Sequence, residues 1–203
     1  MNKSFNPAIK ERTTNEIYDG IQEVLAADDP DLLTVTNISK RSGYSIGNIY
    51  HYFNNVDSLI NEFAINRFKV MVDFFAKQIS EQPTSATAKE IISSLISGNF
   101  RYLRNDYPRK VLIKLASKIM NDTLLIKEID EISLLLVDPI EEMINRNETN
   151  TFKRLTHAEI EMLVLMVTSA IRKPVISNHK LALTHTHMQQ ALALLMGGFA
   201  QHD

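Results

Sequence analysis

The sequence predicts an all-helical chain, with a three-helix N-terminal domain at residues 1–55 and a larger helical domain at residues 56–203. Three observations favour this class. Glycine and proline number 6 each, so turns are few and the elements between them are long. Apolar residues recur at helical spacing along most of the chain. No segment alternates between apolar and polar residues as a half-buried strand does, and no internal repeat is present.

The composition sets further limits. A hydrophobic fraction of 44% is ordinary for a globular protein with a core. The chain has no cysteine, which excludes disulfides and cysteine-ligated metals. The first residues lack the apolar run of a signal peptide, and no stretch approaches the roughly 18 apolar residues of a membrane span. We therefore expect a cytoplasmic protein without membrane association.

The charge is uneven along the chain. The net charge of -2 argues mildly against nucleic acid as a partner. Between Leu32 and Val56, however, there is no acidic residue, whereas Lys40, Arg41 and His51 lie in this segment. One local surface can therefore be positive on a slightly acidic protein.

The first predicted helix covers Ile9 to Ala27, and the acidic, proline-containing segment at residues 28–31 ends it. Thr34 or Thr36 can cap a short second helix. Gly43 follows where the chain must turn sharply, because glycine tolerates a left-handed backbone. Ser45 can then cap a third helix that reaches Phe53.

Two short helices joined by a glycine turn are typical of the helix-turn-helix, whose second helix lies in the DNA major groove. We expect Val35, Ile38 and Ile49 to face the core. The exposed face then carries short polar groups and tyrosines, which suit phosphates and base edges. Gly47 is unfavourable inside a helix, and close approach of its backbone to DNA would explain it.

This segment resembles the signature of the TetR family of bacterial regulators. The resemblance rests on Thr34-Val35, on Ile38-Ser39, on Gly43, on the block Tyr50-His51-Tyr52-Phe53 and on Leu59. It covers about the first quarter of the chain. Two positions depart from the pattern. Ser39 replaces the usual alanine, and Val56 replaces a usual lysine, which removes one expected phosphate contact.

The resemblance implies a set of DNA contacts. Tyr50 and Tyr52 would hold phosphates, Lys40 and Arg41 would add charge at the backbone, and Asn48 with the backbone of Gly47 would meet base edges. The complete predicted set is Thr36, Lys40, Arg41, Ser45, Gly47, Asn48, Tyr50, His51 and Tyr52. The alternative is a simple packing motif in which Tyr50, Tyr52 and Phe53 are core aromatics.

The second domain continues the helical pattern. A long helix opens at Val56 or Asp57, and further helices are predicted at residues 85–105, 111–120, 123–145, 157–172 and 184–199. A break is expected at residues 106–108. At Pro139 the segment at residues 123–145 either kinks or restarts with Asp138 as its cap. Lys173-Pro174 is expected to end the predicted helix at residues 157–172.

The resemblance also implies that this domain binds a small molecule and forms a homodimer. The apolar runs Met162–Val167 and Ala191–Met196 agree with a four-helix bundle made with a second copy. Ordinary core helices are the alternative. The expected interface residues are Leu163, Val167, Leu192, Leu195 and Phe199.

The effector is expected to be small and apolar or amphipathic, and no cofactor is expected. Methionine and aromatic side chains adapt to such ligands. The predicted pocket residues are Phe68, Met71, Phe75, Phe100, Leu103, Tyr107, Met120, Met143, Met162 and Met166. His185 and His187 point to different sides of a helix, so we expect solvent-exposed histidines and no metal.

The sequence therefore predicts a sequence-specific transcriptional regulator, a repressor that a small effector releases from palindromic double-stranded operator DNA. The alternative is a helical DNA-binding or adaptor protein without an effector. Phosphate-loop, nucleophile-elbow and paired-histidine metal motifs do not occur, so no enzyme is expected.

Overall fold

The computed structural model describes residues 7–27, 32–105, 115 and 122–201. Within these residues the regular elements are helices, and the β-structure is an isolated antiparallel bridge between Phe152 and Ala200. The all-helical prediction is confirmed. In chain order the helices are α1 (Pro7–Ala26), α2 (Val35–Ser42), α3 (Ile46–Tyr52), α4 (Val56–Ser80), α5 (Ala88–Asn105), α6 (Thr123–Leu134), α7 (Val137–Arg146), α8 (His157–Ile176) and α9 (His185–Phe199).

The N-terminal helices close around one core, which we call the N-terminal cluster. Residues of α1, α2 and α3 supply part of it, the first turns of α4 add to it, and Leu115 joins it from farther along the chain. The core therefore extends beyond residue 55 into the long helix. Its members are Ile17, Tyr18, Ile21, Val24, Leu25, Ile38, Ile49, Phe53, Leu59, Ile60, Phe63 and Leu115.

Helices α1 and α2 touch at Gly20. A Cβ atom at this position would lie 2.7 Å from the Cβ of Ser42 and 2.9 Å from its Cα, too close for any residue larger than glycine. The absent side chain lets the two helix backbones pack directly. This contact fixes where α2 lies relative to α1.

The larger core lies among α5, α7, α8 and α9, with the end of α4 against it. Its fully buried members include Ile91, Phe100 and Ile160. Helix α4 is thus part of both cores, at its first turns and at its last. A movement of α4 would act on both.

The segment around Pro139 restarts and does not kink. Helix α6 ends at Leu134 and α7 begins at Val137. The N-cap is Leu136, which makes no side-chain cap hydrogen bond, so the expected Asp138 cap is wrong. Pro139 lies in the first turn, where its missing N–H has no intrahelical partner to lose. The predicted break at residues 106–108 and most of the predicted helix at residues 111–120 lie outside the described residues.

Helix α8 does not end at Lys173-Pro174 as expected, because it continues through Pro174 to Ile176. A proline inside a helix cannot donate to the carbonyl four residues earlier. Here that carbonyl belongs to Ala170, and it lies 3.3 Å from the Nε2 of His187 on α9. The histidine thus supplies the donor that the proline lacks.

His187 is buried, with 5% of its surface exposed, so the expected exposure of this residue is wrong. Its Nδ1 accepts the backbone N–H of Leu183 at 3.2 Å. Since an accepting Nδ1 is unprotonated, the ring proton lies on Nε2 and is donated to Ala170. The ring also meets the edge of Phe100, with 5.0 Å between ring centroids.

No helix in the described part of the chain is both long and apolar enough to cross a membrane.

Candidate DNA-binding surface and ligand cavity

The turn between α2 and α3 is built from local hydrogen bonds. The Thr34 hydroxyl accepts the N–H of Asn37 at 3.3 Å, which makes Thr34 the N-cap of α2. Gly43 ends α2 with a φ of 76°, in the left-handed region that favours glycine. The Ser45 hydroxyl then accepts the N–H of Asn48 at 3.2 Å and caps α3. The predicted caps Thr34 and Ser45 and the predicted glycine turn are confirmed.

A second layer of bonds fixes the turn against α1. The Ser39 hydroxyl donates to the carbonyl of Tyr44 at 2.7 Å. The Tyr44 hydroxyl donates in turn to the carboxylate of Glu16 on α1, and this bond raises the pKa of Tyr44. The serine that departs from the family pattern therefore has a role that alanine could not fill.

The surface made by α2 and α3 displays most of the predicted contact residues. Eight of the nine are exposed: Thr36, Lys40, Arg41, Ser45, Gly47, Asn48, Tyr50 and His51. Tyr52 is half-buried against the N-terminal cluster and meets the edge of the His51 ring. Phe53 is buried in the core, whereas Tyr50 is 43% exposed, so Tyr50 is not the core aromatic of the alternative interpretation.

Gly47 lies on this face with no atom within 4 Å of the position that a Cβ would take. Space inside the protein therefore does not require glycine here. Ile46, the first residue of α3, is also 37% exposed, an unusual place for a large apolar side chain. Sequence reasoning left it out of the predicted contacts, although apolar groups of this kind can meet thymine methyl groups.

Tyr18 joins the N-terminal domain to the long helix. Its ring packs edge-on against Phe63 of α4, with centroids 5.5 Å apart, and tilts against Phe53 at 6.1 Å. Burial, with a contribution from the Glu62 carboxylate, raises the pKa of Tyr18 to about 12. The side chain therefore stays neutral at this joint.

A cavity of about 290 Å³ lies in the larger domain beside α4. Of the predicted pocket residues, five are on its wall: Phe68, Met71, Phe75, Leu103 and Met143. The rest of the wall is largely aliphatic and comes from α5, α6, α7, α8 and α9; it includes Ile91, Leu95, Ile129, Ile140, Val164, Ile171, Val175 and Leu195.

Three predicted pocket residues lie elsewhere. Phe100 is 1% exposed and packs in the core beside His187, so it does not reach the cavity. Met162 and Met166 are 57% and 58% exposed, because they occupy the outward side of α8. Tyr107 and Met120 lie outside the described residues.

The predicted dimer-interface residues lie in two different environments. Val167 and Phe199 are buried and line the cavity of their own chain, so they do not belong to an outer surface, and that prediction is wrong for them. Leu163, Leu192 and Leu195 are only partly buried. The exposed apolar surface on α8 and α9 is formed instead by Met162, Met166 and Leu194.

Polar groups in the cavity are few and specific. Arg67 of α4, Asn99 of α5 and Arg172 of α8 each reach the wall. Arg67 Nη1 donates to Oε1 of Gln22 on α1 at 3.0 Å. Arg172 Nη2 donates to Oδ1 of Asp130 on α6 at 2.8 Å. The sequence pattern gave no reason to select these residues.

An ion pair on the surface connects α7 and α8. His157 Nδ1 lies 2.7 Å from Glu141 Oε2, and this hydrogen bond raises the pKa of His157 above its ordinary value. Asp138 is close to both: one carboxylate oxygen of each acidic residue and one ring nitrogen of His157 all lie within 4.8 Å of one another. The three residues lie at the surface, where such groups commonly serve as ion pairs.

Helices α2 and α3, each with a side-chain N-cap and joined at Gly43, form a helix-turn-helix, an arrangement typical of DNA-binding proteins. Residues 17–63 match the family model described as bacterial regulatory proteins, tetR family. This match covers the segment that carries the predicted motif, so the resemblance to the TetR family is confirmed for residues 17–63.

Comparison with individual proteins extends this result. The chain is 31% identical over 107 residues to the fatty acid metabolism regulator protein of Bacillus subtilis, a match that spans 52% of the chain and 53% of that protein. Thus only about half the length of this curated relative is matched.

Two solved structures share the fold over almost the whole chain. The transcriptional regulator FadR from Bacillus subtilis, solved in complex with stearoyl-CoA, has a TM-score of 0.61 at 24% identity and covers 91% of this chain and 98% of its own. The TetR family repressor AlkX from Dietzia has a TM-score of 0.67 at 14% identity, with 94% of each chain covered. At these identities the likeness shows the fold alone.

Proposed function

We propose that this protein is a repressor that binds a palindromic operator as a homodimer and leaves it when a long-chain acyl ligand fills the cavity. The observation that carries the proposal is the position of Phe63. This fully buried side chain belongs to the N-terminal cluster and also lines the cavity. The cavity and the core beneath the candidate DNA-binding surface therefore share a side chain.

The DNA contacts in this proposal are those of the exposed face. Asn48 and the backbone at Gly47 meet base edges, Tyr50 and Tyr52 hold phosphates, and Lys40 supplies charge. Thr36, Arg41, Ser45 and His51 complete the set. Arg41 lies 4.0 Å from Glu23 of α1, and both side chains are well exposed, so water screens the pair and the arginine can turn to a phosphate.

The chemistry of the cavity supports an acyl ligand. Aliphatic and aromatic side chains form most of its wall, and a cavity with few polar groups suits a ligand with one long apolar part. The partial relative is described as a regulator of fatty acid metabolism, and the similar FadR structure holds stearoyl-CoA. The cavity also favours this function over a helical DNA-binding or adaptor protein without an effector.

The homodimer is proposed from α8 and α9. Met162 and Met166 lie one helical turn apart on α8, and Leu194 of α9 is 52% exposed. Contact between two copies would remove this apolar surface from water and complete a four-helix bundle. A two-fold dimer also places two N-terminal domains on successive major-groove faces.

Release would follow from differential binding. A ligand lowers operator affinity only if it binds more tightly to a conformation that does not fit DNA. Because α4 lines the cavity and also closes the N-terminal core, a ligand that displaces α4 moves the DNA-binding surface. The separation of the two surfaces in the dimer would change with it.

The test has two parts. Sites selected from random DNA by the purified full-length protein should share an inverted repeat, and lauroyl-CoA should then lower affinity for that repeat. Salt-sensitive binding without sequence preference would refute the specific regulator. Operator affinity that stays constant at saturating acyl ligand would refute the proposed effector class.

A further inference from the structure

Three polar atoms at the cavity are buried without a hydrogen-bond partner among the described residues. They are Nε of Arg67, Oδ1 of Asn99 and Nη1 of Arg172. A buried polar group without a partner is unfavourable, so such atoms call for an explanation. All three residues line the same cavity, which indicates that the missing partner is a ligand.

The two arginines differ in how their charge is balanced. Arg172 forms an ion pair with the Asp130 carboxylate at 2.8 Å, so its charge has a counter-charge. The hydrogen bond of Arg67 goes to the neutral amide of Gln22. Among the described residues, Arg67 is thus the cavity cation without an ion-pair partner. A partly buried charge of this kind is stabilised by an anion.

We propose that Arg67 binds the negatively charged oxygens of the acyl ligand's head group, and that its bond to Gln22 transmits this event to the DNA-binding domain. The inference rests on the proposed function and deepens it. The shared ligand chemistry is an anionic oxygen group at the end of an acyl chain. A fatty acid carboxylate and the phosphates of an acyl-CoA both supply it.

The position of Gln22 supports the second part. Gln22 lies on α1, two residues after Gly20, where α1 and α2 touch. Without ligand, the Arg67–Gln22 bond joins α1 to α4 at the edge of the cavity. An anion that draws the guanidinium towards itself competes with this bond, because a hydrogen bond between opposite charges is stronger than one from a guanidinium to a neutral amide. Ligand binding therefore loosens α1 from α4.

The first test compares ligands. Lauroyl-CoA, laurate and dodecanol share their apolar chain but differ in charge. Calorimetric titration of Arg67→Met should show affinity for the anionic ligands reduced by about tenfold, as expected for a lost charged hydrogen bond, with dodecanol unchanged. Arg67→Lys keeps the charge and should retain most of the affinity. Whichever of lauroyl-CoA and laurate loses affinity identifies the source of the anion.

The second test measures coupling, the ratio of operator affinities without and with saturating lauroyl-CoA. Gln22→Met removes the acceptor and keeps the side-chain length, so this ratio should fall by about fivefold, the size of one hydrogen bond. Gln22→Glu gives Arg67 a carboxylate partner that the ligand anion must displace, so it should weaken lauroyl-CoA binding and should not lower the ratio. Any general effect on DNA binding cancels in the ratio.

The outcomes separate the two proposals. If the wild-type protein binds no acyl ligand, or binds it without losing operator affinity, the proposed function fails. If the wild type responds but Arg67→Met keeps the wild-type preference for anionic ligands, the head-group contact is overturned. Equal coupling in Gln22→Met, Gln22→Glu and wild type would overturn the transmission step.

Discussion

The bond between His187 and Ala170 allows a strict test of how the larger domain tolerates Pro174. In His187→Leu, the buried Leu183 N–H and the partly buried Ala170 carbonyl both lose the hydrogen bond to the imidazole. One orphaned buried group costs about 1–3 kcal/mol. We therefore expect the free energy of unfolding to fall by about 3 kcal/mol, and Tm by roughly 6–12 °C.

A second substitution isolates the part that belongs to Ala170. In Pro174→Ala, the new N–H can donate to the Ala170 carbonyl within α8. His187→Leu should then cost less in the Pro174→Ala protein than in wild type, by about 1–2 kcal/mol, because only the Leu183 N–H is still orphaned.

The assay is thermal and urea unfolding of the four proteins in this cycle, followed by circular dichroism at one protein concentration, since dimers melt according to concentration. Equal costs of His187→Leu in both backgrounds would refute the role of the Ala170 carbonyl. No measurable cost in either background would refute the whole argument, including the hydrogen bond to Leu183.

Three further predictions concern other regions. Gly47→Ala should stabilise α3 by about 1 kcal/mol, because the new Cβ contacts no other side chain, yet it should weaken operator binding by about tenfold. Unfolding measures the first effect and operator titration the second. An unchanged operator affinity would contradict close approach of Gly47 to DNA. Met162→Glu with Met166→Glu should produce monomers in sedimentation velocity and weaken operator binding; a stable dimer would exclude this surface. Because the hydrogen bond that His157 donates to the Glu141 carboxylate raises the pKa of His157, the pair stabilises the fold fully below about pH 6.5 and less as the pH rises through the raised pKa. Glu141→Gln should therefore flatten the decline of Tm between about pH 6 and 8, and an unaltered profile would argue against the pair.

The candidate DNA-binding surface was predictable because its determinants are local. Thr34 and Ser45 cap helices through bonds to residues three positions later, and Gly43 ends a helix through its own backbone conformation. Each of these signals spans less than one helical turn. The spacing of Ile38 and Ile49 likewise identified the side that is buried.

The lining of the cavity was predictable only in outline. Periodicity showed that α8 is apolar, but it could not assign neighbouring residues to different surroundings. Met166 faces outward, whereas Val167 faces the cavity. The choice depends on which helix packs on each side, and that information lies in distant parts of the chain.

By itself, then, the sequence determined the helical class, the helix-turn-helix and the family resemblance of residues 17–63, since these follow from hydrogen bonds and side-chain spacing within short segments. The tertiary structure decided which apolar residues enclose the cavity and gave Pro174 its partner in His187. It also brought Gln22 of α1 to Arg67 of α4. Such contacts join residues far apart in the chain, and only the packing of whole helices brings them within hydrogen-bonding distance.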